Sequence, residues 1–429
     1  MKWTKKASAT TVVLAAAALG VPLAIVELTE SDAGQSAVRP TTSPRSAPPS
    51  ASAAPRETES AAPWVGTWAA AVHKSEESFD GQTLRQIVHT SIGGATTRVR
   101  LSNEFGDQPL TVQNVHLAKH KRSGVIDAST DRTATFRGDT SVTIAPGSTA
   151  VSDPIGFAAA AETEIAVSAY LPRSTGPATR HSLANRNNYV TWGDQSDAAN
   201  LTDAKPIDSY YFLAGLDVRN PAAAGAVVTL GASITDGFGS AFGGNRRWPD
   251  VLAARLNDSG RTVGVLNAGI KGNMLTKDWS GQSALNRFER DVLAQPGVKW
   301  VIFSDDPLND LGGDNPPSAG ELIDAMRQLM TRSKSAGVQF ICSTLTPYQG
   351  AGYWSERGEA ARAEINAFIR GKNSGCDAVV DQDAATHNPQ LPSRYLRAYD
   401  SGDHLHPNDE GMKAIANAVR LEAFGPAAP

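Results

Sequence analysis

VVTLGASITDGFG, from Val227 to Gly239, is the stretch around which the chain is organised. Its first part, Ala226 to Leu230, is a short apolar, β-prone run, as expected of a strand buried in a parallel sheet. Gly231 breaks the strand. Ala232-Ser233-Ile234-Thr235 then turns sharply toward a helix that begins at Trp248. A serine just past the carboxyl end of a central strand stands where open α/β sheets place their ligands. The spacing is not Gly-x-Ser-x-Gly, because Thr235 holds the place of the second glycine. Serines in such turns also act as caps, so the reading depends on what else reaches that edge.

After Asn220-Pro221 the chain alternates strand and helix. Strands are expected at Ala226–Leu230, Val263–Leu266, Trp300–Ser304, Gln339–Ser343 and Ala378–Asp381. Helices are expected at Trp248–Leu256, Ser283–Leu293, Ala319–Ala336, Ser355–Arg370 and Glu410–Leu421. Pro249 is tolerated in a first helical turn, and Pro296-Gly297 and Gly337 close two of the helices. This pattern predicts a doubly wound α/β domain over 221–429 with a five-stranded parallel sheet.

From Pro63 to about residue 220 the pattern differs. Trp64–Trp68, Thr83–Ile92, Thr97–Leu101, Leu110–Leu117, Ser141–Ile144 and Glu164–Leu171 read as strands separated by Gly, Asn, Asp and Pro. No long 3.6-period segment interrupts them, so an antiparallel β-sandwich is expected. Its histidines (His73, His89, His116, His120, His181) lack metal-ligand spacing. Ahead of this region, residues 1–33 resemble an export signal: a basic start, an apolar run from Thr11 to Val26, and Ser31-Asp32-Ala33 as a small-x-small site. If uncleaved, the same segment is an anchor. Residues 34–62 are rich in Pro, Ser and Ala and are expected to form an unstructured tether. Either way, the remainder is expected outside the cytoplasm.

Composition sets further bounds. A net charge of -4 with 20% charged residues implies no general attraction to nucleic acid or anionic membrane. The two cysteines, Cys342 and Cys376, fall late in one strand and ahead of the next. They are read as separate buried thiols rather than a bridge.

The loops after successive strands meet on one edge of such a sheet. They bring Ser233, the segment Asn267 to Asn273 with Gly272, the pair Asn309-Asp310, and Asp403-His404-Leu405-His406-Pro407. These types suit acyl transfer from an activated serine. His406 can take the Ser233 proton and return it, and Asp403 can fix its tautomer. The Ser233 and Gly272 amides and the Asn309 side chain can converge on an oxyanion. His404 is the rival base, disfavoured because it adjoins Asp403. His387 is read as exposed.

At these residues the chain resembles the SGNH hydrolases, also called GDSL esterases or lipases, with Ser233, Gly272, Asn309 and His406 as the four blocks and Asp403 completing the triad. The resemblance spans about residues 222–425. The preceding region, with Trp64 to Trp68 and Arg98 to Phe105, resembles the N-terminal domain of a secreted actinobacterial subgroup. The resemblance implies a flavodoxin-like three-layer fold and ester hydrolysis without cofactor or metal. Three departures stand out: Ala232 where the family has Asp, Lys271 before the block-two glycine, and Pro307 in the third block.

Lys271, Asp305 and Asp306 are expected either to form a charged pocket wall or to pair with one another. Tyr353 and Trp354, after the fourth strand, are candidates for lining the cleft. The expectation is therefore an extracellular, monomeric serine esterase. Its substrate would be a small-molecule or glycan ester, hydrolysed or transferred, with neither nucleic acid nor a protein partner implied. The competing reading is a catalytically drifted surface module that binds a glycan through exposed Trp192, Tyr210 or Tyr211.

Overall fold

The computed structural model describes residues 62–312 and 315–426. The expected signal and tether lie outside these residues, save for Ala62. No helix among the described residues is long and apolar enough to cross a membrane.

The β-rich region begins with a four-stranded sheet in the order Trp64–Ala69, Leu213–Arg219, Thr96–Ser102, Thr149–Val151. A larger sheet runs Lys205–Ile207, Asn188–Trp192, Gln82–His89, Glu164–Leu171, Leu110–Arg122, with short strands on its edge. All pairings are antiparallel. The period-two rule sets the core: Thr97, Val99 and Leu101 point inward from their strand and alternate with half-buried neighbours. On Gln82–His89 both faces are covered. Leu84 and Val88 enter the main core, while Ile87 packs with Ala118, Ile126 and Ala166 on the other face. Arg85 pins the covering loops there by donating to the carbonyls of Gly124, Ser196 and Ala198.

The α/β region is a five-stranded parallel sheet in the order Val263–Gly269, Gly225–Gly231, Val298–Phe303, Gln339–Ser343, Ala378–Val380. From Gly225–Gly231 the chain steps one way to Val263–Gly269 and the other way to Val298–Phe303. The carboxyl end of Gly225–Gly231 is therefore the topological switch point, where such sheets open a crevice. The covering helices follow local chemistry. Ser318 and Glu321 form a capping box at Ala319–Ser335, and Ser355 and Asn408 cap Glu356–Arg370 and Asp409–Ala418. The helix expected over 283–293 is shorter, an α-turn Ala284–Phe288 running into a π-turn Glu289–Leu293.

The two regions share one apolar core. The strand Trp64–Ala69 lies against Val263–Gly269 at a separation only glycines permit. A Cβ at Gly66 would stand 2.7 Å from Leu266 Cδ1, and one at Gly264 would stand 2.1 Å from the Gly66 carbonyl. Gly66 is the middle residue of the Trp-Val-Gly-Thr-Trp stretch, so that motif is a docking edge for the α/β sheet.

The cysteine reading is overturned. Cys342 and Cys376 form a disulfide with a Cα separation of 5.8 Å. Register pairs Cys342 with Val379, so a straight chain would carry Cys376 away down the sheet. The chain is not straight there. Gly375 takes a φ of 82°, and Asp377 is tied to Phe340 by its amide and its carboxylate. This turn swings Cys376 back beside the neighbouring strand.

Candidate active site

Gly231 ends the central strand because no side chain fits: a Cβ would lie 2.1 Å from Thr235 Oγ1 and 2.4 Å from Asp305 Oδ1. A four-residue helical turn, Ser233–Asp236, follows at once. It was not foreseen, because one turn leaves no periodic signal. Its N-cap is Ala232, which has no side-chain oxygen to take the free amides. Asp305, two residues past the end of the neighbouring strand Val298–Phe303, supplies it. Its carboxylate accepts from the amides of Ala232 at 3.1 Å, Ile234 at 2.8 Å and Thr235 at 3.3 Å, and from Thr235 Oγ1 at 2.5 Å. The amide of Ser233, between these, has no acceptor among the described residues.

Ser233 Oγ lies 2.8 Å from His406 Nε2, and His406 Nδ1 lies 2.6 Å from Asp403 Oδ2. The second Asp403 oxygen accepts from the amides of Leu405 and His406. Partial burial works against the Asp403 carboxylate. The hydrogen bonds from the His406 ring and from the two amides outweigh it and hold the pKa down at about 2. Asp403 is thus a fixed negative charge behind the imidazole. Phe238 stands edge-on to the His406 ring at 4.5 Å. His404, the rival, turns away with a φ of 63° and pairs with Asp400 at 2.6 Å.

The loop after the second strand completes the edge. The Ile270 amide donates to the Gly231 carbonyl at 3.1 Å and the Lys271 amide to Asp236 Oδ2 at 2.7 Å. Gly272 adopts a φ of 78°, a region that favours glycine. Its amide, like that of Ser233, has no acceptor among the described residues. Asn309 Nδ2 donates to the Asn273 carbonyl at 2.8 Å, and its second N–H has no acceptor among the described residues. The Tyr353 hydroxyl donates to Asn309 Oδ1 at 3.3 Å and so orients the amide. Asp310 accepts from the Leu275 and Thr276 amides and anchors the loop's exit.

Three expectations about the rim are corrected. Lys271 does not meet Asp305 or Asp306. Its ammonium lies over the Phe238 ring at 3.9 Å, close to the His406 contact. Asp305 is buried under the Ser233–Asp236 turn. Asp306 is fully buried and faces Arg287 at 3.4 Å. Burial pushes its pKa up to about 7, with Arg287 opposing and the neighbouring Asp305 and Asp310 adding to the rise. Both carboxylates sit where the chain dives behind the sheet edge, which residue type alone does not reveal. Tyr353 reaches the site through Asn309, whereas Trp354 packs partly buried against the core. Of the aromatics considered for glycan binding, Tyr210 and Tyr211 are buried core residues and Trp192 is exposed. His387 is half-buried rather than exposed, 3.9 Å from Asp383.

Sequence reasoning gave no role to Asp236 or Phe238 and weighed His181 only as a histidine without metal-ligand spacing. Asp236 lies three residues past Ser233 in the organising stretch, and that spacing was the available signal.

Residues 229–414 match the GDSL-like lipase/acylhydrolase family. This part of the chain is therefore a GDSL-like acylhydrolase domain, preceded by the antiparallel β-rich region. No curated protein matches the chain. Among solved structures, it is similar to the lipase/acylhydrolase from Enterococcus faecalis, at 20% identity over 47% of this chain and 95% of that one, with a TM-score of 0.37. It is also similar to a GDSL-like lipase from Bacteroides thetaiotaomicron, at 17% identity over 47% and 88%, TM-score 0.35. A mutant acetyl-xylooligosaccharide esterase from Geobacillus gives 23% identity over 47% and 95%, TM-score 0.37.

Proposed function

We propose that the protein is an extracellular serine esterase that cleaves O-acyl groups through an acyl-enzyme. The observation that carries this reading is the unbroken chain Ser233 Oγ, His406 Nε2, His406 Nδ1, Asp403 Oδ2, with contacts of 2.8 and 2.6 Å. His406 takes the Ser233 proton as Oγ attacks the acyl carbon. The negative charge that forms on the carbonyl oxygen is met by the amides of Ser233 and Gly272 and by Asn309 Nδ2. His406 then gives the proton to the departing alcohol. Water, activated by the same imidazole, attacks the acyl-enzyme and releases the acid. An acceptor alcohol in place of water gives acyl transfer with the same residues. The disulfide supports placement in an oxidising compartment outside the cytoplasm.

The test is turnover of a panel of esters, from acetyl to long-chain acyl, by the parent and by Ser233→Ala. We expect short acyl groups to be preferred and Ser233→Ala to lose at least ~10³-fold in kcat with its melting temperature retained. Equal turnover by Ser233→Ala sinks the proposal.

A further inference from the structure

We propose that His181, contributed by the β-rich region, is a positioning residue for the oxyanion loop and acts through Asp236. His181 ends the short strand Thr179–His181 and is buried. Its Nδ1 lies 2.8 Å from the Ala71 carbonyl. Its Nε2 faces the Leu183 carbonyl and Asp236 Oδ1, each at 3.1 Å. Both ring nitrogens thus face acceptors only, an arrangement that the doubly protonated imidazolium satisfies. Burial alone would disfavour that charge, but the Asp236 carboxylate beside it outweighs burial and raises the pKa.

Asp236 is the link. It lies in the same helical turn as Ser233 and is buried. One oxygen takes the His181 proton donor and the other takes the Lys271 amide at 2.7 Å. The next residue is Gly272, whose free amide is one of the oxyanion donors. Room for this contact is provided by Gly269, where a Cβ would stand 2.3 Å from the Asp236 amide nitrogen. With His181 in place, Asp236 has both oxygens committed and the loop amide is held to the nucleophile turn. Without it, a buried carboxylate loses its cationic partner and is free to rotate off Lys271. Arg247 and His73 are the other titratable groups whose charge bears on this pair. The β-rich region therefore contributes to the catalytic edge.

This inference rests on the acyl-transfer reading, and the experiment separates the two. Steady-state kinetics on a short acyl ester are measured for the parent, His181→Ala, His181→Gln, Asp236→Asn and the double variant His181→Ala with Asp236→Asn. A misplaced oxyanion donor weakens the transition state more than the bound ester. We expect kcat to fall about 10- to 100-fold in His181→Ala, with KM changing less than about threefold. His181→Gln, which keeps a donor toward Asp236, should recover part of the loss. The double variant should be no worse than the more impaired single variant. A parent-like kcat in folded His181→Ala overturns the inference and leaves the esterase reading standing. An inert parent overturns both. If His181→Ala does not fold, His181→Gln and Asp236→Asn decide: a parent-like kcat in both, whatever the change in KM, overturns the inference.

Discussion

Replacing Asp305 by Asn probes the support under Ser233. The carboxylate divides its work unevenly: Oδ2 takes only the Ile234 amide, while Oδ1 takes the amides of Ala232 and Thr235 and the Thr235 hydroxyl. An Asn side chain that keeps oxygen at the Oδ1 place turns an NH2 toward the Ile234 N–H. One charge-assisted bond, worth about 1.5–3 kcal/mol, is lost, and a buried donor faces another donor at a further cost of about 1–3 kcal/mol. The remaining three bonds lose their ionic character. A total near 3–5 kcal/mol is expected, a large part of the about 5–15 kcal/mol that holds a typical domain together. The variant should therefore fold but unfold at lower denaturant, and its Ser233 should be displaced. A shift of about 1 Å is enough for a ~10²-fold loss in rate. Urea unfolding followed by tryptophan fluorescence, with ester turnover on the same samples, reads both effects. Stability within about 1 kcal/mol of the parent together with unchanged turnover would refute the view that Asp305 holds the Ser233–Asp236 turn.

Two other perturbations follow from the same structure. Reducing the Cys342–Cys376 bridge, which spans a sequence separation of 34, should lower stability by about 4 kcal/mol on the chain-entropy account; chemical denaturation of Cys342→Ser with Cys376→Ser checks it, and an unchanged midpoint would count against the bridge. For Asp306 the folded pKa of about 7 lies above the unfolded value of about 3.9, so the folded state binds the extra proton between these limits. Its contribution is fully present below about pH 4 and is lost as pH rises through 7. The parent should lose melting temperature from pH 5 to pH 8, and Asp306→Asn should lose less; Arg287 keeps Asp291 as a partner in that variant. Parallel melting curves for the two proteins would show that Asp306 is ionised throughout.

The fold was legible because its signals are local and periodic. The runs at Ala226–Leu230 and Gln339–Ser343 are β-branched or apolar, the helix expected over Ala319–Ala336 is closed by Gly337, and the antiparallel strands alternate. The positions of Ser233, Gly272, Asn309, Asp403 and His406 were legible because strand order puts the connecting loops on one edge. Asp305 and Asp306 were visible but misread: adjacent identical side chains diverge, one to the Ser233–Asp236 turn and one to Arg287, and only the path of the backbone separates them. Lys271 was likewise judged by charge, whereas the nearby Phe238 face sets its position. The disulfide hid behind a left-handed Gly375. His181 and Asp236 are 55 positions apart in sequence, and no spacing rule connects a β-strand end with the switch point of another sheet.

The most direct test of the account is covalent labelling of the protein lacking residues 1–61 with a fluorophosphonate, read by peptide mass spectrometry. A single adduct on Ser233, formed by the parent and absent from folded His406→Ala, is the predicted result. A folded parent that forms no adduct, or one modified at another serine, would contradict the claim that this edge of the sheet activates Ser233.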